Sequence, residues 1–150
     1  MYAHEYQIRV RYGETDQMGY LYYGRYADYY EIGRVEMLRA LGLTYRDMEE
    51  KNRVMLPVAS METRYIRPAR YDELLTVRTA LRQFPTGKHM TFYVEVYNEA
   101  KKLVNGGKVR LVFVDMDTNH SIVAPAFFTK LLLPFFPEQS AQNPTLPPHP

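Results

Sequence analysis

Residues 12–26 read YGETDQMGYLYYGRY and separate an alternating segment from a long amphipathic segment. Asp16 lies between Gly13 and Gly19, about two helical turns' worth of chain before the predicted start of a helix. The free N–H groups and the partial positive charge at a helix N-terminus can stabilise a polarised oxygen. A carboxylate beside such an oxyanion site is the minimum equipment for acyl transfer, so this stretch is where we expect function.

The segments on either side of this loop predict a strand and a helix. Apolar and polar residues alternate from Tyr6 to Tyr12, which is the period-two signature of a half-buried strand. After the loop, apolar residues recur every three to four positions, which predicts a helix of roughly five turns. These positions are Tyr26, Tyr29, Tyr30, Gly33, Met37, Leu38, Ala40 and Leu41. We expect Gly42 to end this helix, and Thr44 to cap a short second helix that reaches about Lys51.

From residue 54 onward the patterns are typical of strands. Alternation or β-rich composition covers residues 54–66, 75–81, 90–96 and 109–115. Asn105-Gly106-Gly107 precedes the last of these and predicts a bulge or a turn. Consecutive strands joined by short turns pair antiparallel. The chain is therefore predicted to be α+β, with an antiparallel sheet of about five strands curled around one long central helix.

Length and composition narrow the class of protein. The 150 residues suit one domain, predicted over 1–133, followed by a proline-rich tail over 134–150 that we expect to be mobile. No cysteine is present, which excludes disulfides, thiolate zinc sites and a cysteine nucleophile. The net charge is only +2 and the basic residues are scattered, which argues against nucleic-acid binding. The chain start shows no signal-peptide pattern and no apolar run approaches the ~20 residues of a membrane span, so we expect a cytoplasmic protein without a transmembrane segment.

Elimination leaves the carboxylates as candidates for chemistry. The four histidines are far apart, so no metal site is expected. The serines lack a G-x-S-x-G elbow, and residues 105–108 lack the spacing of a phosphate-binding loop. Asp16 alone has a suitable setting, whereas Glu31 is interpreted as a partner of Arg34 or Arg67. Taken in isolation, an aspartate in a glycine-containing loop is more often a turn or cap residue.

Longer motifs connect this loop to a known family. The segment TDQMG over 15–19 is followed by Tyr22, by Tyr26 and by the pattern Glu31-x-x-Arg34-x-Glu36-x-Leu38, and YIRPARYDEL occupies residues 65–74. Together these resemble the hotdog-fold acyl-CoA thioesterases of the 4-hydroxybenzoyl-CoA thioesterase type, in particular the Tol–Pal-associated acyl-CoA thioesterases. The resemblance covers about residues 5–116. The fold that it implies, a sheet curled around one helix, agrees with the count of strands and helices.

The resemblance implies roles for individual loop residues. Asp16 matches the catalytic aspartate of the family, which attacks the thioester carbonyl or activates water. Tyr23 matches the position whose backbone N–H at the helix start polarises that carbonyl, and Gly24 follows in the same turn. Met18 and Gly19 shape the loop. The Tol–Pal-associated branch often carries histidine where this chain has Tyr23, a departure that leaves the backbone donor intact and bears on substrate preference.

The resemblance also implies substrate contacts and partners. Aromatic residues are expected to line the acyl pocket, and basic residues at strand ends to meet the phosphates of coenzyme A. The aromatic candidates are Tyr20, Tyr26 and Tyr65; the basic candidates are Arg67, Arg70, Arg82, Lys88 and Lys108. Core packing explains these aromatic residues equally well, and solvent exposure each basic one. Of the basic residues, we select Arg67 and Lys88 as substrate-binding.

The predicted function is hydrolysis of an acyl-CoA or acyl-carrier-protein thioester, with no cofactor beyond the coenzyme A of the substrate. The family places its sites at subunit interfaces, so a homodimer or homotetramer is expected. The alternative is a non-catalytic protein that binds acyl thioesters or serves as a scaffold. A hotdog dehydratase is disfavoured, because such enzymes use a histidine near the central helix and none occurs between Glu5 and Lys88.

Overall fold

The computed structural model describes residues 1–141. Its α-helices are α1 (Tyr26–Ala40), α2 (Tyr45–Glu50), α3 (Ala126–Leu132) and α4 (Pro137–Ala141). Its strands are β1 (Tyr2–Arg9), β2 (Val54–Met55), β3 (Val58–Tyr65), β4 (Leu74–Leu81), β5 (His89–Tyr97), β6 (Leu103–Val112), β7 (Val114–Asp115) and β8 (His120–Ser121). Short 3₁₀ turns occupy Tyr12–Glu14, Tyr23–Arg25 and Leu133–Phe135.

Five strands form one antiparallel sheet with the order β1-β4-β5-β6-β3. β1 pairs with β4 over eight residues, from Tyr2 opposite Leu81 to Arg9 opposite Leu74. A second, small sheet has the order β2-β7-β8. The α+β prediction of one long helix with an antiparallel five-stranded sheet is therefore confirmed.

Helix α1 packs against β1, β4 and β5 through its apolar face. The buried residues of this face are Tyr26, Tyr29, Tyr30, Gly33, Arg34, Met37 and Leu38. They repeat at helical spacing, so burying them orients the helix on the sheet. As predicted, the chain leaves the helix at Gly42, whose φ is +85°, and the Thr44 side chain caps α2 by accepting a hydrogen bond from the Asp47 N–H at 3.1 Å.

Several details of the strands differ from the sequence prediction. The predicted segment 54–66 divides into β2 and β3, which lie in different sheets, and the predicted segment 109–115 divides between β6 and β7. β1 begins at Tyr2 and ends at Arg9, because its full length pairs with β4, whereas Tyr12 falls in a 3₁₀ turn. Gly106 and Gly107 form neither a bulge nor a turn but lie inside β6, paired with β3 and β5. The reason at Gly107 is steric: a Cβ atom there would overlap the Glu62 carbonyl oxygen and lie 2.8 Å from the Tyr30 hydroxyl.

The segment after the small sheet packs on the main core. Phe128 and Leu132 of α3 are buried, and the Phe128 ring meets Phe113 at 5.2 Å between centroids. The predicted tail over 134–150 starts within a 3₁₀ turn, and its first part includes the buried Phe136 and α4. Residues 142–150 lie outside the described residues, so the expected mobility of the tail stays a prediction.

Within residues 1–141, no helix has the length and apolar character required to span a membrane.

The two adjacent glycines of β6 allow a matched test of this packing. We expect Gly107→Ala to destabilise the fold by about 1–3 kcal/mol, because its methyl group would collide with β3 and with Tyr30. Gly106→Ala meets only the Val94 carbonyl oxygen at 3.7 Å, an ordinary contact, and should change stability by less than about 1 kcal/mol. Urea unfolding of both variants measures the difference; equal effects would contradict this packing.

Candidate active site

The loop between β1 and α1 folds back on itself through backbone hydrogen bonds. Thr15 pairs with Leu21 in an isolated antiparallel bridge. The Asp16 N–H donates to the Tyr20 carbonyl at 2.9 Å, and the Gly19 N–H donates to the Asp16 carbonyl at 2.9 Å. Gly19 has a φ of +80°, a conformation that glycine adopts without strain. The loop therefore holds the Asp16 backbone in place with its own main chain.

The two carboxylate oxygens of Asp16 have different surroundings. Oδ1 accepts hydrogen bonds from the backbone N–H groups of Met18 at 2.9 Å and Tyr20 at 3.1 Å. Among residues 1–141, Oδ2 has no hydrogen-bond partner. One oxygen thus orients the carboxylate, and the other is available for chemistry.

The start of the helical segment provides hydrogen-bond donors beside this loop. The 3₁₀ turn Tyr23–Arg25 runs directly into α1. In the described part of the chain, the backbone N–H groups of Tyr23 and Gly24 meet no acceptor, as is usual in the first turn of a helix. The Tyr65 hydroxyl of β3 donates to the Tyr23 carbonyl at 3.2 Å, which ties this turn to the edge of the sheet.

The connection between β3 and β4 supports the loop from the other side. The Leu21 N–H donates to the Ala69 carbonyl at 2.7 Å, and Tyr20 forms an isolated bridge with Arg70. The Arg70 guanidinium also stacks over the Tyr20 ring at 4.9 Å. The two sequence motifs that carry the family resemblance, residues 15–26 and 65–74, are therefore in direct contact.

A cavity of about 260 Å³ opens between these two motifs. Its lining residues are Asp16, Met18, Tyr20, Leu21, Tyr23, Tyr26, Tyr65, Ile66, Arg67 and Pro68. Most of this lining is apolar or aromatic, and Asp16 is the one carboxylate among the lining residues that the structure describes. The cavity therefore combines an apolar chamber with a single acidic group.

Most of the predicted site residues come together here, with one exception. Asp16, Met18, Tyr20, Tyr23, Tyr26 and Arg67 line the cavity, while Gly19 and Gly24 lie in the same loop and turn. Lys88 precedes β5, whereas the cavity lies near the other end of that strand, roughly 25 Å away at about 3.3 Å per residue. Within one chain, Lys88 is thus separate from the Asp16 site.

The sequence reasoning missed three apolar lining residues, Leu21, Ile66 and Pro68. Each of them is adjacent in sequence to a residue that was predicted to bind substrate, either Tyr20 or Arg67. This adjacency is the signal from which they could have been predicted. Arg67 is partly engaged, since its Nη1 donates to the Leu103 carbonyl at 2.7 Å.

Burial controls the protonation of Tyr26 in the cavity wall. Burial raises the pKa of Tyr26 to about 12, and the neighbouring Tyr30 and Glu73 add to this increase. The Tyr22 side chain, outside the cavity, also has a raised pKa, caused first by its hydrogen bond with the Tyr23 hydroxyl. Because its pKa is far above 7, Tyr26 is a neutral wall residue at physiological pH.

Larger clefts exist elsewhere on the surface but have a different character. One of them, about 880 Å³, is lined by residues of β3, β5 and β6 together with Arg82. Its carboxylate Glu62 is paired with Lys108 at 3.5 Å, and Arg82 stacks over Tyr93 at 4.0 Å. No helix start contributes to its lining. Among residues 1–141, no group of three or more histidine and carboxylate side chains is placed to hold a metal ion.

Comparison with known proteins is consistent with this geometry. The sequence profile of the thioesterase-like superfamily matches residues 10–149. The chain is 36% identical over 103 residues to the putative acyl-CoA thioesterase YneP of Bacillus subtilis, a match that covers 69% of this chain and 73% of that protein. It is 32% identical over 108 residues to the acyl-CoA thioester hydrolase YbgC of Escherichia coli O6:H1, covering 72% of this chain and 79% of that protein.

Solved structures match as well. The fold superposes on a DHNA-CoA thioesterase from Staphylococcus aureus with a TM-score of 0.77 at 29% identity, covering 94% of this chain and 88% of that one. A 4-hydroxybenzoyl-CoA thioesterase matches with a TM-score of 0.78, covering 86% and 97%, and its 20% identity supports the fold alone. These findings confirm the resemblance drawn from the two motifs. The chain belongs to the thioesterase-like superfamily and is a hotdog-fold thioester hydrolase.

Proposed function

We propose that the protein hydrolyses the thioester of an acyl-CoA, or of an acylated carrier protein, to the free acid and the thiol. The observation that carries this proposal is the Asp16 carboxylate, which lines an apolar cavity and has one oxygen held by two backbone N–H groups, while the other has no hydrogen-bond partner within residues 1–141. The relatives named acyl-CoA thioesterases support the choice of substrate.

The proposed chemistry uses the free oxygen of Asp16. Oδ2 either attacks the thioester carbonyl carbon or removes a proton from the water that does so. In both cases the carbonyl oxygen gains negative charge in the transition state. The unpaired N–H groups of Tyr23 and Gly24 are the donors assigned to this oxygen, assisted by the positive end of the α1 dipole. The carbon–sulfur bond then breaks and the thiolate leaves. On the water route this step yields the free acid directly, and Asp16 returns the proton to the thiolate. On the nucleophile route the acyl group stays on Asp16 as a mixed anhydride, which water then hydrolyses to the free acid and the restored carboxylate.

The cavity is assigned to the acyl group. Tyr20, Tyr26 and Tyr65 supply aromatic walls, and Ile66 supplies an aliphatic one. We assign Arg67 to the mouth of the cavity, where a cationic side chain suits the polar carrier of the thioester. Met18 is 69% exposed, so it is available to cover a bound substrate.

Replacing the acidic group tests the proposal. Asp16→Asn retains an oxygen that can accept the Met18 and Tyr20 hydrogen bonds but cannot act as nucleophile or base, so kcat should fall by about 10²–10⁴-fold with the fold preserved. Thiol release from a panel of short, long and aromatic acyl-CoAs measures the loss.

The matched control is Asp117→Asn, which removes a carboxylate that pairs with Arg53 at the surface, and it should retain full activity. An active Asp16→Asn variant would contradict the assignment of Asp16. A wild-type protein that binds acyl-CoA without releasing thiol would instead indicate the non-catalytic binding alternative.

We further propose that two copies of the chain pair through β3. This strand lies at the edge of the main sheet, and an unpaired edge is a template for another strand. Val58, Met61 and Tyr65 of β3 expose 51%, 36% and 52% of their surface in the single chain. Tyr65 also lines the cavity, so an edge-to-edge dimer would cover apolar surface beside the site.

A charge on this edge should separate the two copies. We expect the wild-type protein to have twice the mass of one chain in multi-angle light scattering, and Met61→Asp to shift it toward the monomer, because antiparallel pairing brings the new charges together. Val123→Asp introduces the same charge at an exposed apolar residue outside β3 and should remain dimeric. A monomeric wild-type protein at tens of micromolar would refute β3 pairing.

A further inference from the structure

Glu14 connects three separate segments of the chain. Its Oε1 atom accepts hydrogen bonds from the Arg11 backbone N–H at 2.7 Å and from the Tyr29 hydroxyl at 2.9 Å. Its backbone carbonyl accepts a third, from the Tyr22 N–H, at 2.9 Å. One residue therefore holds the end of β1, the entrance of the helical segment and the body of α1.

These contacts lie next to both halves of the proposed site. Glu14 precedes Asp16 by two residues, and Tyr22 directly precedes Tyr23, whose N–H is assigned to the carbonyl oxygen. Tyr29 lies in α1 and is completely buried, so its ring has a fixed position in the core. The hydrogen bond from Tyr29 to Glu14 thus joins the loop that carries the acid to the helix that carries the donors.

We infer that Glu14 and Tyr29 are positioning residues, which set the separation between the Asp16 carboxylate and the N–H groups of Tyr23 and Gly24. This inference rests on the proposed thioesterase function. Glu14 does not line the cavity and neither does Tyr29, so they act through the backbone and not on the substrate. A hydrogen bond to a carboxylate is stronger than one between neutral groups, which suits a joint that must stay rigid during turnover.

The chemistry of the Tyr29 hydroxyl supports a permanent joint. Burial raises the pKa of Tyr29 well above its usual range, and the hydrogen bond to Glu14 raises it further. The hydroxyl therefore keeps its proton throughout the physiological pH range and remains a donor to Glu14. The other two hydrogen bonds that Glu14 accepts come from backbone N–H groups, which do not titrate.

The first test compares two neighbouring buried tyrosines. Tyr29→Phe removes only the hydroxyl that reaches Glu14, whereas Tyr30→Phe removes a hydroxyl that bonds Asn105 and Thr63 away from the loop. We expect Tyr29→Phe to lower kcat about 10- to 100-fold with KM within about 3-fold of wild type, as small misplacements of reacting groups do. Tyr30→Phe should keep kcat within about 2-fold. Both are assayed by thiol release at a temperature where circular dichroism shows the fold intact.

The second test uses Glu14 itself and serves if Tyr29→Phe fails to fold. Glu14→Gln retains an acceptor oxygen and should keep most of kcat, whereas Glu14→Ala, which loses the Arg11 bond as well as the Tyr29 bond, should lower kcat at least as much as Tyr29→Phe. Combining Glu14→Ala with Tyr29→Phe should cause no loss beyond that of Glu14→Ala alone, since both remove the hydrogen bond between the two side chains.

Three results would overturn the positioning role: normal kcat in Tyr29→Phe, an equal loss in Tyr30→Phe, or the same loss in Glu14→Gln as in Glu14→Ala. Asp16→Asn separates this inference from the proposed function. An inactive Asp16→Asn alongside a normal Tyr29→Phe refutes only the joint, whereas an active Asp16→Asn refutes the proposed function.

Discussion

The close approach of α1 to the sheet is the constraint on which the rest of the structure depends. At Gly33, a Cβ atom would lie 2.6 Å from the Thr79 Oγ1 and 2.8 Å from the Val77 Cγ1, both on β4 and both buried. At Gly107, the backbone of β6 passes beneath the Tyr30 hydroxyl. Two glycines, one on the helix and one on the sheet, therefore set the distance between the two layers. With that distance fixed, the start of α1 has a defined position above the sheet.

The site follows from that position. The helix start supplies unpaired N–H groups at a fixed place, and the loop before it presents an acid through its own backbone hydrogen bonds. The connection between β3 and β4 closes the cavity and clamps the loop at Leu21. Each part is held by a different element, and the contacts of Glu14 with Tyr22 and Tyr29 join the loop to the helix. In the proposed mechanism the carboxylate acts without a serine or histidine partner.

Much of this arrangement could be predicted from local sequence patterns. The rest depends on contacts between residues that are distant in sequence. Helical spacing predicted α1, and the glycine loop with the RPARYDEL segment predicted the candidate site, because those signals are contiguous in the chain. The Gly106-Gly107 pair was misassigned, since the need for glycine arises from Tyr30 and Glu62, which are distant in sequence. Lys88 was selected as a basic strand end, but which strand end faces the cavity depends on the strand order β1-β4-β5-β6-β3. The hydrogen bond between Glu14 and Tyr29 joins residues that are fifteen positions apart, on either side of the loop where the chain turns back on itself. No local sequence pattern predicts it.

In the loop around Asp16, the groups that hold the carboxylate belong to the main chain and not to the neighbouring side chains. Main-chain atoms make the bonds that orient the carboxylate, and of the residues between Asp16 and Tyr20 only Gly19 needs a special backbone conformation. Gln17 and Met18 are exposed, and among residues 1–141 their side chains make none of the hydrogen bonds that hold the Asp16 carboxylate. These two side chains can therefore be exchanged for others that suit a new ligand, while the hydrogen bonds that hold the Asp16 carboxylate remain in place. In a loop built in this way, substrate preference can change through substitutions that cause little loss of folding stability.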